Sequence, residues 1–84
     1  MFHNNSGIQN TAVGKQALMN ISTGDRNSAV GYRALSDNNE GLDNTAMGYQ
    51  AMDSNQDGEG NAAFGANALG SNVFGSWNTA VGAN

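Results

Sequence analysis

Residues 27–35 read Asn-Ser-Ala-Val-Gly-Tyr-Arg-Ala-Leu, and residues 44–52 read Asn-Thr-Ala-Met-Gly-Tyr-Gln-Ala-Met. The second stretch begins 17 residues after the first and repeats its pattern of Asn, small, apolar and glycine positions. Working outward, the chain falls into lines of 17 from Asn10: NTAVGKQALMNISTGDR (10–26), NSAVGYRALSDNNEGLD (27–43), NTAMGYQAMDSNQDGEG (44–60) and NAAFGANALGSNVFGSW (61–77). A partial coil, NTAVGAN, fills 78–84, and residues 2–9 fit as the tail of an earlier copy. No insertion or deletion breaks the register. Self-similarity at a fixed period is the signature of a repeat architecture, so 1–84 reads as a single repeat domain.

The positions within the period divide by chemistry. Position 1 is Asn10, Asn27, Asn44, Asn61 and Asn78, and position 3 is Ala throughout. Position 4 is Val13, Val30, Met47, Phe64 and Val81; position 9 is Leu18, Leu35, Met52 and Leu69. Position 5 is Gly14, Gly31, Gly48, Gly65 and Gly82, and position 15 is Gly24, Gly41, Gly58 and Gly75. A two-helix repeat needs a period of about 30 residues or more, and glycine costs a helix about 1 kcal/mol at each occurrence. The period instead suits one coil of a parallel β-solenoid, or β-roll. Its expected parts are a strand at x-A-V-G, a second at x-x-A-L, and turns at the glycines and at the variable positions 10–14. Stacked coils place equal positions about 4.8 Å apart. Positions 4 and 9 are therefore expected to form two core columns, and the Asn residues of position 1 a ladder. The position 5 and 15 glycines are expected to provide positive φ or close backbone approach.

The segment N-T-A-V-G-x-x-A-L resembles the repeats of bacteriophage tail fibres. It is also similar to the head repeats of trimeric autotransporter adhesins, whose period is somewhat shorter. The resemblance covers residues 10–84. It implies an all-β homotrimer, intertwined or side by side, forming a stiff shaft or knob on a virion or outside a cell. No coiled-coil stalk, membrane anchor or chaperone segment accompanies the repeats, so attachment and receptor specificity are not implied.

Composition narrows the function classes. The net charge is −4, with Lys15, Arg26 and Arg33 the only Lys or Arg, which argues against nucleic acid and anionic membranes as partners. No Cys is present to build a disulfide framework or thiolate site. No apolar run reaches the length of a membrane span, and the N-terminus lacks the pattern of a signal peptide. Two apolar columns make a thin core, and the chain starts and stops within a repeat. Self-association is therefore expected, as a homotrimer or an end-to-end filament.

Candidate sites are few. Asp53, Asn55 and Asp57, followed by Gly58, resemble the opening of a calcium loop. The closing bidentate Glu is missing, because Phe64 stands in its place; a solvated turn is the expected reading. His3 is the sole histidine, Lys15 is followed by Gln16 and makes no phosphate loop, and no Ser-His-Asp set can be drawn. Neither catalysis nor a cofactor is expected. Val73, Phe74 and Trp77 stand at turn positions that are mostly polar in other coils and are expected to form an interface with a neighbouring chain or following domain, the alternatives being a local cap or a ligand or receptor contact. Tyr32 and Tyr49 lie one period apart and are expected to stack outside. The expected function is a structural fibre or virion appendage. The alternatives are an adhesive module touching a host-surface glycan or other virion proteins, and a self-assembling extracellular filament. Ice binding is disfavoured because the Thr row at position 2 is broken by Ala62.

Overall fold

A computed structural model describes residues 7–19, 23–38, 40–70 and 75–83. The chain is a β-solenoid of about four turns. Five three-residue strands, β1 (Thr11–Val13), β2 (Ser28–Val30), β3 (Thr45–Met47), β4 (Ala62–Phe64) and β5 (Thr79–Val81), form one sheet in sequence order. All pairings are parallel, and each residue stands beside the one 17 places later: Thr11 beside Ser28, Ala29 beside Ala46, Met47 beside Phe64. Every coil is thus related to the next by the same short translation.

Successive strand residues face opposite sides of a sheet, and this decides the core. The middle residues of the strands, Ala29, Ala46 and Ala63, are fully buried inside the coil. Ala17, Ala34, Ala51 and Ala68 line the interior from the opposite wall, with Leu18, Leu35 and Met52 filling it. Leu69 is partly buried against the same cluster. The position 9 column is therefore internal, but the position 4 column is not. Val13, Val30, Met47, Phe64 and Val81 all face outward, being 37–80% exposed. The physical reason is strand alternation. With the position 3 alanines turned inward, alternation along the strand turns positions 2 and 4 outward, and alanines with one column of larger side chains fill the interior.

The second expected strand, positions 6–9, is not a strand but a bend held by coil-to-coil hydrogen bonds. Its position 7 and position 9 residues lie in the left-handed region, as do those of position 17: Arg33 (φ 57°), Leu35 (φ 50°) and Asp43 (φ 58°) in one coil. Each of these backbones turns its N–H along the solenoid axis. Arg33 donates to Lys15 O (3.0 Å), Leu35 to Ala51 O (2.9 Å) and Asp43 to Asp25 O (3.0 Å). The corners thus stay hydrogen-bonded to the coils above and below although they lack strand geometry, as buried backbone groups require.

The position 5 glycines have φ near +120° to +130°, as at Gly48 (φ 133°). A Cβ at Gly48 would lie 2.7 Å from Gly65 O of the next coil, so stacking alone forbids a side chain there. The position 15 glycines Gly24, Gly41 and Gly58 serve close approach without positive φ, because a Cβ on any of them meets the neighbouring glycine carbonyl and the asparagine side chains.

Candidate functional site

Two asparagine ladders stiffen the stack. In the first, Asn44 N–H donates to Asn27 Oδ1 (2.9 Å) and Asn61 N–H to Asn44 Oδ1 (2.9 Å). Each Nδ2 meanwhile donates to the glycine carbonyl that closes its coil: Asn27 to Gly41 O (2.8 Å), Asn44 to Gly58 O (2.7 Å). Asn27, Asn44 and Asn61 are buried and each uses both ends of its amide. The second ladder, at position 12, was not read from the sequence. Asn55 Nδ2 donates to Asn38 Oδ1 (2.8 Å) and to Gly58 O (3.0 Å), and both asparagines are fully buried. Its signal is hidden in positions 10–14, where Ile21 of the first coil interrupts the column.

The three residues of the calcium reading each have other surroundings. Asp53 is committed to Arg33 Nη2 (3.3 Å) and to the Ser36 hydroxyl. Asn55 points inward to its ladder, and Asp57 is exposed. Among the described residues, no group of three or more His, Cys, Asp or Glu comes together.

The outward side of the sheet carries positions 2 and 4: Thr11, Ser28, Thr45, Ala62 and Thr79 beside Val13, Val30, Met47, Phe64 and Val81. Across the glycine column stand Tyr32 and Tyr49, both exposed and stacked with ring centroids 5.3 Å apart at 15°. The expected tyrosine stack is thus present. Together these side chains form one apolar, aromatic band running along the axis. Contiguous exposed apolar surface of this kind marks a contact site.

Of the expected interface turn, Val73 and Phe74 lie outside the described residues. Trp77 is 74% exposed. One face of its ring rests on Gly60, where any Cβ would run into the indole. In the same column Arg26 pairs with Asp43 (2.6 Å). The hydrogen bond from Arg26 and its positive charge hold the Asp43 carboxyl below its ordinary pKa, and the same bond raises the Arg26 guanidinium. Position 17 therefore links coils by an ion pair low in the stack and by an indole lying on a glycine higher up.

The fold and its outer band define a parallel β-solenoid with an uncovered sheet face. Set against protein-family models, curated proteins and solved structures, the chain matches none of them. Among the described residues, no helix is long and apolar enough to cross a membrane.

Proposed function

We propose that the chain is a structural, non-catalytic segment of a fibre, a rigid shaft or knob of the phage tail-fibre kind assembled as a homotrimer. The observation that carries this reading is the backbone bonding from coil to coil at the strand and at the corners among the described residues. Between the second and third coils the bonds run from Ser28 N to Asn44 O (2.8 Å), Gly48 N to Val30 O (2.8 Å), Gln50 N to Tyr32 O (2.8 Å), Asp37 N to Asp53 O (2.9 Å), Glu40 N to Gln56 O (3.0 Å) and Gly60 N to Leu42 O (2.9 Å). An object bonded at strand and corners along one axis resists bending and stretching, which is the task of a shaft. The resemblance of the repeats to those of tail fibres supports a shaft carried on a virion or a cell surface, with other appendage proteins as its neighbours.

Light scattering at two concentrations tests the reading. A constant mass near three chains supports the trimeric shaft. A mass that grows with concentration favours an end-to-end filament, and a stable monomer removes both. A second reading, contact with a receptor or glycan, is favoured by the open face of Trp77. Trp77→Ala separates the two: loss of glycan binding at unchanged mass supports a contact surface, and loss of mass supports assembly.

A further inference from the structure

We infer that the outward sheet face is where copies of this chain meet, with Val30, Met47 and Phe64 of one copy packed against the equivalent face of another. The number of copies, three, rests on the reading above; the choice of face does not. Four observations carry it.

Parallel sheets are found with both faces covered, and here the coil interior covers only one. The outer face keeps an apolar side chain at every rung instead of the polar alternation of a solvated sheet.

Charge points the same way. The chain carries −4 overall, yet positions 2 and 4 hold no Asp, Glu, Lys or Arg in any of the five strands. The carboxylates Asp37, Glu40, Asp43, Asp53, Asp57 and Glu59 sit on the turns. Two copies that approach through the sheet face keep these like charges apart.

Spacing is the third. The rungs of the column repeat about every 4.8 Å. A partner that makes the same contact at each rung must repeat at that distance, and a second copy aligned in parallel does so throughout.

Side-chain size is the fourth. In β1 to β5 the outward pairs are Thr and Val, Ser and Val, Thr and Met, Ala and Phe, Thr and Val. The row of hydroxyl residues is broken only at Ala62, in the strand whose other outward residue, Phe64, is the largest of the column. An arrangement of copies around an axis would set position 4 side chains over position 2 of the next copy. Phe64 then needs its counterpart to be small, and Ala62 is. Within one coil both side chains stand on the outer face, Ala62 half-buried and Phe64 exposed.

Met47 is a built-in reporter. It is 44% exposed on the single chain, whereas Met52 is fully buried inside the coil. In the unmodified protein, hydrogen peroxide is expected to oxidise Met47 at least tenfold more slowly than in the urea-unfolded chain. Ala62→Lys places a charge on the face without touching the coil interior. It is expected to reduce the mass to one chain while the far-ultraviolet circular dichroism persists. Met47 oxidising at the unfolded-chain rate, or Ala62→Lys keeping the parent mass, overturns the inference. If Ala62→Lys does not fold, the Met47 rate alone decides. A parent mass of two chains with a protected Met47 retains the face and removes the trimer. A mass of three with an unprotected Met47 does the reverse.

Discussion

At the scale of single residues, the buried asparagines matter more than the apolar side chains suggest. Asn44 accepts from the Asn61 backbone and donates to Gly58 O, and its side chain is fully buried. Asn44→Ala leaves a donor unpaired and takes one partner from a carbonyl inside the stack, so a loss of about 2–4 kcal/mol is expected from the cost of stranding buried polar groups. Asn78→Ala, at an exposed rung, should cost much less. Urea unfolding of both variants checks the contrast. The first ladder was legible because the same residue recurs every 17 positions. The second was harder to see: Asn recurs at 38, 55 and 72, but Ile21 stands at that position in the first coil and the neighbouring positions vary like a solvated turn. A pH effect belongs at this scale too. The Asp43 carboxyl is held below its ordinary value of 3.8 by Arg26. A depressed carboxylate contributes stability above its unfolded pKa and loses it as pH falls through the folded one. Asp43→Asn should therefore flatten the decline in melting temperature below about pH 4, and leave it nearly unchanged at pH 7, since exposed ion pairs contribute little.

At the scale of the element, the bend at positions 6–9 shows what sequence patterning misses. Nothing in x-x-A-L announces left-handed backbone, because positions 7 and 9 are held by Gln, Arg, Asn, Leu and Met rather than Gly. The stack dictates the conformation: only a left-handed residue turns its N–H along the axis while the chain rounds the corner. The left-handed form costs about 1–2 kcal/mol at an ordinary residue, so the sequence leaves stability unused. Gln50 (φ 56°) is a half-buried example. Gln50→Asn, which tolerates this region better, should raise stability by about 0.5–1 kcal/mol. Gly48→Ala should do the opposite and more strongly, since it adds positive-φ strain to a collision with Gly65 O. Melting temperatures of the two variants should move in opposite directions. Strand orientation was the other misreading. Size suggests that Val13 and its equivalents face inward, whereas the hydroxyl residue two places earlier in four of the five strands already marks that face as the outer one.

At the scale of the whole molecule, the repeat behaves as a one-dimensional stack in which each coil meets only its neighbours. The period, rather than any particular coil, should then be what folding requires. Deleting residues 44–60 removes one complete coil and joins Asp43 to Asn61. Every surviving position keeps its counterpart: Asn27 Oδ1 meets the Asn61 backbone, Gly31 comes to lie beside Gly65, and Leu35 beside Ala68, while Arg26 retains Asp43. Deleting residues 44–59 takes one residue fewer and leaves Gly60 between Asp43 and Asn61. Any coil-to-coil pairing is then one place out of step on one side of the junction. A one-residue slip turns inward-facing side chains outward, so the alanine walls, the Leu column and the asparagine ladders cannot all be satisfied above it. The larger deletion is therefore expected to do the lesser damage. Removal of 44–60 should leave cooperative urea unfolding with a denaturant slope lower by roughly a fifth, in proportion to the surface lost. Removal of 44–59 should lower the midpoint further or abolish the transition. If the 16-residue deletion proves as stable as the 17-residue one, strict coil-to-coil register is not what holds the molecule together, and the ladders lose their place as its principal restraint.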